Sequence, residues 1–211
     1  GYVPLDESEL PYVVLNGVAG PRGSAVQADD TGNMECALRH LYELGHRKIG
    51  YVNPYRDPEL IPIGFSEQHY SVIRRTAAYF DFCLTNGLPV LESAKDCTAT
   101  TEEAVEEGIA RGFTAFVTYS FELYMEVCHH LHARKMRVPE DVSLVSFNNP
   151  PLARYAFPPA TCVEIPSREM GVEAGELLLR RLEEPEAGRK KIRMLPGRLV
   201  LRESTAPVAG E

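Results

Sequence analysis

No apolar run in this 211-residue chain approaches the roughly 18 residues that a membrane-spanning helix needs, so no membrane segment is expected. The opening GYVPLDESEL has neither a basic start nor an apolar h-region, and no secretory signal is read from it. Positive charge is scarce. Lys and Arg number 22 against 30 Asp and Glu, which leaves a net charge of −8. Duplex binding draws its affinity from cations that neutralise phosphates, so the chain is not expected to grip nucleic acid by itself. The densest basic group, GRKKIR (188–193), is short and reads as a solvated turn ahead of a strand.

Paired cysteines are also missing. Cys36, Cys83, Cys97, Cys128 and Cys162 are an odd number, widely spaced and without a CxxC pair, which reads as reduced thiols in a cytoplasmic protein. CHHLH (128–132) places His129 and His132 on one helical face with no acidic third ligand near, so no metal is expected. Catalytic signatures are equally thin. GFSEQ (64–68) fails the G-x-S-x-G nucleophile elbow at its last position, and no G-x-G-x-x-G or P-loop occurs. GPRGSA (20–25) is an ordinary glycine turn. The chain is not read as an enzyme, and no cofactor is implied.

What remains is an alternation of strands and helices. Strands are expected at 12–16, 24–29, 48–53, 114–119, 141–147, 161–165, 190–195 and 198–203. Helices are expected at 32–45, 70–86, from the Thr100-Thr101-Glu102-Glu103 capping box to Gly112, from Ser120 to Lys135, and at 167–183. Repeated βα units with near-continuous apolar strands mean an α/β protein with parallel sheets covered on both faces. Two proline-rich connections, 53–68 and the loop after residue 149, divide the units into groups and point to more than one sheet.

In open parallel sheets ligands bind beyond the carboxyl ends of strands. That rule selects Asp29 and Asp30, Asn53 with Tyr55, Tyr119 with Ser120 and Phe121, and Asn148 with Asn149. Carboxylates, carboxamides, a hydroxyl and aromatic rings make a wall for a small polar molecule with a flat face. Plainer readings stand beside it. Asp29 or Asp30 serves equally well as a helix cap, Ser120 reads more simply as one, and Asn148-Asn149 before Pro150 fits a turn.

Several blocks resemble the LacI/GalR family of bacterial transcription regulators: ALRHLYELGHRKIGYV (37–52), RRTAAYFDFCLTNGLP (74–89), RVPEDVSLVSFNNPPLARYAFPPATCV (137–163), EMGVEAGELLLRRLEEP (169–185) and LPGRLVLREST (195–205). The resemblance implies two Rossmann-like subdomains of the type I periplasmic-binding-protein fold, closing on a sugar, sugar phosphate or nucleobase derivative. It places about 1–53 plus 166–186 in an N-terminal subdomain that is incomplete, and 54–165 plus 187–206 in a C-terminal one. The helix-turn-helix domain that full members use to hold operator DNA is not in this sequence.

Carried over residue by residue, the family's cleft aspartate falls on Asp29. Its ligand-gripping arginine falls on Arg75, with Ala78 in place of the motif's Gly, and Ser71 matches a position that often contacts ligand. The family's Asn-Asp after the third strand is here Ser120-Phe121, and its Gly-[FY]-Asp-[DN] is Ser146-Phe147-Asn148-Asn149. Carboxylates have become carboxamides, which both donate and accept. The expected consequence is a weaker sugar grip, or an effector with its own acceptors or negative charge. The segment PLARYAFPP (151–159) matches a dimer-interface segment, so Tyr155 and Phe157 are expected to anchor a homodimer. A solute-binding protein of a transporter is the alternative reading, and it predicts a signal peptide and a monomer.

Overall fold

The computed structural model describes residues 10–20, 23–53, 69–95, 99–183 and 191–208. In chain order its strands are β1 (Val13–Leu15), β2 (Ser24–Ala28), β3 (Ile49–Val52), β4 (Ala115–Thr118), β5 (Ser143–Phe147), β6 (Thr161–Glu164), β7 (Ile192–Leu195) and β8 (Arg198–Val200). The helices are α1 (Asp30–Glu43), α2 (Tyr70–Thr85), α3 (Thr101–Ala110), α4 (Phe121–Ala133) and α5 (Ser167–Glu183).

Two sheets result. One is all parallel, in the order β1-β2-β7; the other runs β3-β4-β5-β6-β8, parallel except for the antiparallel β8. β3, β4 and β5 are buried at every position, as strands covered on both faces must be. Their registers align Ile49 with Ala115 and Ala115 with Ser143, so Val52, Thr118 and Ser146 end level at one edge. That shared edge brings the loops after β3, β4 and β5 to one place.

The five-stranded sheet carries most of the buried apolar mass. Tyr51, Tyr79, Tyr124, Phe116 and Phe147 are all fully buried there, with α1 packed on α2 and α3 on α4. The three-stranded sheet rests on α5 through Val26, Ala28, Met170, Ala174 and Leu177. At about 1.5–3 kcal/mol per fully buried large apolar side chain, that second core holds together far less strongly.

Local signals explain the helix starts. Thr100 accepts from the Glu103 N–H while the Glu103 carboxylate accepts from the Thr100 N–H, the expected reciprocal box at the start of α3. Ser120 accepts from the Leu123 N–H and opens α4 as a cap. The C-terminal segment is stitched to the five-stranded sheet. The Ser204 hydroxyl donates to the Leu144 carbonyl at 2.6 Å and accepts from the Thr161 N–H at 2.8 Å. Beside it, buried His46 donates through Nε2 to the Ala206 carbonyl at 3.1 Å, while Nδ1 accepts from the Thr114 hydroxyl at 2.8 Å. Burial pushes the His46 pKa down.

The sheets divide the chain differently from the expected boundaries of 1–53 plus 166–186 and 54–165 plus 187–206. β3 lies in the five-stranded sheet, not with β1 and β2, and β7 lies in the three-stranded one. The chain crosses first after Ala28, because the apolar stripe of α1 (Met34, Ala37, Leu38, Leu41) joins the core under α2, and β3 pairs with β4. It crosses again between β6 and α5, and a third time between β7 and β8. At that last crossing a Cβ on Gly197 would lie 2.5 Å from the Glu164 carbonyl oxygen, so only glycine lets the strands pass so closely.

Candidate functional site

The first crossing leaves two adjacent acids at one helix start, and the backbone gives them different tasks. Asp29 is the N-cap of α1, its Oδ1 accepting from the Gly32 N–H at 3.0 Å. Asp30, one residue on, turns inward and is 2% exposed. Its Oδ1 accepts from Arg75 Nε at 2.6 Å, and both side chains of the pair are almost wholly buried.

Arg75 projects from the second turn of α2 and is held on several sides. Nη1 donates to the Tyr119 carbonyl at 2.9 Å, beyond the end of β4. The guanidinium lies 3.9 Å from the centroid of the Phe147 ring, at the end of β5, and 4.8 Å from that of Tyr119. Stacking on two rings suits the planar, weakly hydrated guanidinium. The Tyr119 hydroxyl bonds to Ser71 Oγ at 2.9 Å, and Ser71 Oγ is in turn 2.7 Å from His69 Nδ1.

Tyr70, at the start of α2, ties this group to the other sheet. Its hydroxyl donates to Asn16 Oδ1, just past β1, at 2.9 Å. Burial, then the nearby Asp30 charge, pushes the Tyr70 pKa above the ordinary tyrosine value, so the phenol stays protonated. Asn16 is positioned for this by a left-handed backbone (φ 49°), which asparagine tolerates better than most residues. One valence is left open in the cluster. Asp30 Oδ2 is buried and has no hydrogen-bond partner among the described residues. An unmet buried polar atom costs about 1–3 kcal/mol, and more when the group is charged.

Of the residues singled out from sequence, Asp30, Ser71, Arg75 and Tyr119 come together here, with Asp29 on the rim as a cap. Others are engaged elsewhere. Buried Asn53 donates through Nδ2 to the Ala94 carbonyl at 2.6 Å, beneath the loop following α2. Phe121 belongs to the core, stacked on Tyr124 with ring centroids 5.7 Å apart. Asn149 Nδ2 donates to Glu164 at 2.9 Å and its Oδ1 accepts from Arg202 at 2.8 Å, so this carboxamide ties β5 to β6 and to the segment following β8. Hydrogen bonds from Asn149, then Arg198, hold the Glu164 carboxyl below the usual carboxylate range. Asn148 is exposed in a left-handed conformation (φ 67°), the turn geometry that its plainer reading anticipates. Tyr55 lies outside the described residues.

Phe147 and Tyr70 are not among the expected site residues, and Asp30 enters only through the strand-end rule, since the family's aspartate falls on its neighbour. Phe147 stands beside Asn148 in the same motif, so adjacency is the available signal there. Tyr70 carries none.

Burial pushes the thiols of Cys83, Cys128 and Cys162 up to about 11, so none is a thiolate near neutral pH. Among the described residues no group of three or more His, Cys, Asp or Glu is placed to hold a metal, and no helix is long and apolar enough to cross a membrane. Two surface cavities lie away from Arg75. One of about 560 Å³ is lined by Glu164, Arg168 and Arg198 at the crossings, and one of about 460 Å³ lies beside Met136, Pro139 and Phe157.

Comparison with known proteins places this geometry. A periplasmic binding protein-like domain matches residues 38–205. An HTH-type transcriptional regulator from Streptomyces limosus, of uncharacterized role, is 30% identical over 215 residues, which cover 97% of this chain and 57% of that protein. The HTH-type transcriptional repressor PurR of Aliivibrio fischeri is 28% identical over 90% of this chain and 56% of its own length. This chain thus spans little more than half of these relatives. Among solved structures, the transcriptional regulator CelR in complex with cellobiose is 28% identical and superposes with a TM-score of 0.76, over 95% of this chain and 60% of that one. The chain belongs to the periplasmic binding protein-like domain family, in the form carried by LacI/GalR-type transcriptional regulators.

Proposed function

We propose that this chain is the effector-sensing part of a cytoplasmic LacI-type regulator and binds a small polar ligand where Asp29, Asp30, Ser71, Arg75 and Tyr119 meet. One observation carries the reading: a buried guanidinium on α2 is held by a carboxylate at the chain's first crossing, and the neighbouring Tyr70 bonds to the opposite sheet. A ligand entering there touches groups that join the two sheets. It shifts their relative orientation only to the extent that it binds one orientation better than the other.

In the complete regulator that shift would change the spacing of paired DNA-binding domains on the operator. Pairing would use the exposed Tyr155 and Phe157, which are 76% and 96% exposed on the proline-rich segment following β5. Sugars head the ligand classes to try, because CelR is solved with cellobiose; nucleobases come next. Isothermal titration of a panel of sugars and nucleobases against the wild type and Ser71→Ala tests the site. The reading requires a ligand that binds the wild type and is weakened at least tenfold by the substitution. Binding indifferent to Ser71, or no binding by any member of the panel, contradicts it.

A further inference from the structure

Carboxamides in place of the usual cleft carboxylates raise the expectation of a ligand with negative charge, and Arg75 is the group that would receive it. The geometry gives Arg75 a different partner. Its Nε is committed to Asp30 at 2.6 Å and Nη1 to the Tyr119 carbonyl, with a ring stacked close by. The pair is buried, 4% and 1% exposed at the two side chains, so the guanidinium's charge is cancelled within the protein. The N-terminal end of α1, which elsewhere would welcome an anion, is already filled by the Asp29 cap and the Asp30 carboxylate.

Two other basic side chains near the strand ends, Arg198 and Arg202, are already committed. Arg198 is paired with Glu164, and Arg202 is bonded to Asn149 and the Ala160 carbonyl. Of the buried side-chain atoms that lack a hydrogen-bond partner among the described residues, the one beside Arg75 is an acceptor, Asp30 Oδ2. The Tyr70 hydroxyl comes within hydrogen-bonding reach of the Asp30 carboxyl as well as feeling its charge, but it donates its single proton to Asn16 Oδ1 at 2.9 Å. An incoming phosphate or carboxylate would therefore meet a carboxylate with an unmet lone pair. A ligand hydroxyl would supply the proton that this oxygen lacks.

We propose that Asp30 is the charge-selecting residue of the cleft: it excludes phosphorylated and carboxylated ligands and reserves the site for uncharged, hydroxyl-bearing molecules. This deepens the ligand-sensing reading and rests on the cleft being the binding site. Inorganic phosphate is the probe, because it needs no knowledge of the natural ligand. Thermal unfolding is followed against phosphate concentration for the wild type, Asp30→Asn, Asp30→Ser and the double variant Asp30→Asn/Arg75→Met. The double variant supplies the non-specific salt baseline.

The expected result is that phosphate stabilises the wild type no more than the baseline. Freed of its carboxylate, Arg75 in either single variant should take up phosphate at least about tenfold more tightly, read from the concentration dependence of Tm. The proposal is overturned if phosphate stabilises the wild type above the baseline, or if neither folded single variant gains a phosphate response. Should both single variants fail to fold, a phosphate titration followed at the Arg75 Nε–H resonance of the wild type decides. A saturating shift there overturns the proposal, and its absence supports it. The sugar panel separates this from failure of the ligand-sensing reading: uncharged sugars that leave every variant untouched count against the cleft, whatever phosphate does.

Discussion

Breaking the Asp30–Arg75 pair one side at a time should cost very different amounts from breaking both. Arg75→Met keeps most of the side chain's volume but leaves Asp30 charged and buried. Removing one partner of a buried ion pair costs about 3–5 kcal/mol. For a chain of this size, about 2–4 °C per kcal/mol converts that into a fall in Tm of roughly 6–20 °C. Asp30→Asn is milder, because the guanidinium keeps the Tyr119 carbonyl and two aromatic faces. Losing the charge-assisted bond alone is worth about 1.5–3 kcal/mol.

In the double variant Asp30→Asn/Arg75→Met no charge is left unpaired, and replacing both members of such a pair is often close to neutral. Urea unfolding of the four proteins closes the cycle. We expect the double variant to be more stable than Arg75→Met alone, with a coupling energy of at least about 2 kcal/mol. Coupling below about 0.5 kcal/mol would refute the claim that the two side chains form one buried unit. For the same reason Arg75→Ala makes a poor binding probe. Lost binding in that variant would mix removal of a ligand contact with an orphaned carboxylate.

Other expectations follow from separate parts of the molecule. Thr100→Ala removes half of the capping box on α3 and should lower stability by about 1 kcal/mol, read from the urea midpoint. Gly197→Ala forces a methyl against the Glu164 carbonyl and should cost about 1–3 kcal/mol, seen as a lowered Tm. Because burial depresses the His46 pKa, the unfolded chain binds the proton more readily than the folded one. The stabilisation from neutral His46 is then complete above about pH 6.5 and is lost as pH falls further, and His46→Gln should flatten that part of the urea-stability profile. Phe157→Ser removes an exposed ring and should weaken self-association in sedimentation equilibrium while leaving Tm unchanged.

Features set by close neighbours along the chain are legible in the sequence itself. The βα alternation, the capping box at Thr100, the Ser120 cap and the placement of Ser71 and Tyr119 at one edge all follow from local pattern, the strand-end rule and the family motifs. Sheet membership is not legible. β3 looks the same in sequence whichever sheet it joins, and only its pairing with β4 decides. Asn149 reads as a free carboxamide because its partners, Glu164 and Arg202, lie 15 and 53 residues further along. Asp29 and Asp30 are interchangeable as letters. A single step of the helix separates them, which turns one to cap the backbone and the other to neutralise Arg75.

On this geometry, ligand binds where Asp30, Arg75 and Tyr119 converge. A crystal structure of the chain grown with the tightest-binding sugar of the panel tests it most directly. The expected density lies between the two sheets, with a ligand hydroxyl within hydrogen-bonding distance of Asp30 Oδ2. Density confined to the cavity lined by Glu164, Arg168 and Arg198, with the Asp30–Arg75 cluster empty, would contradict it.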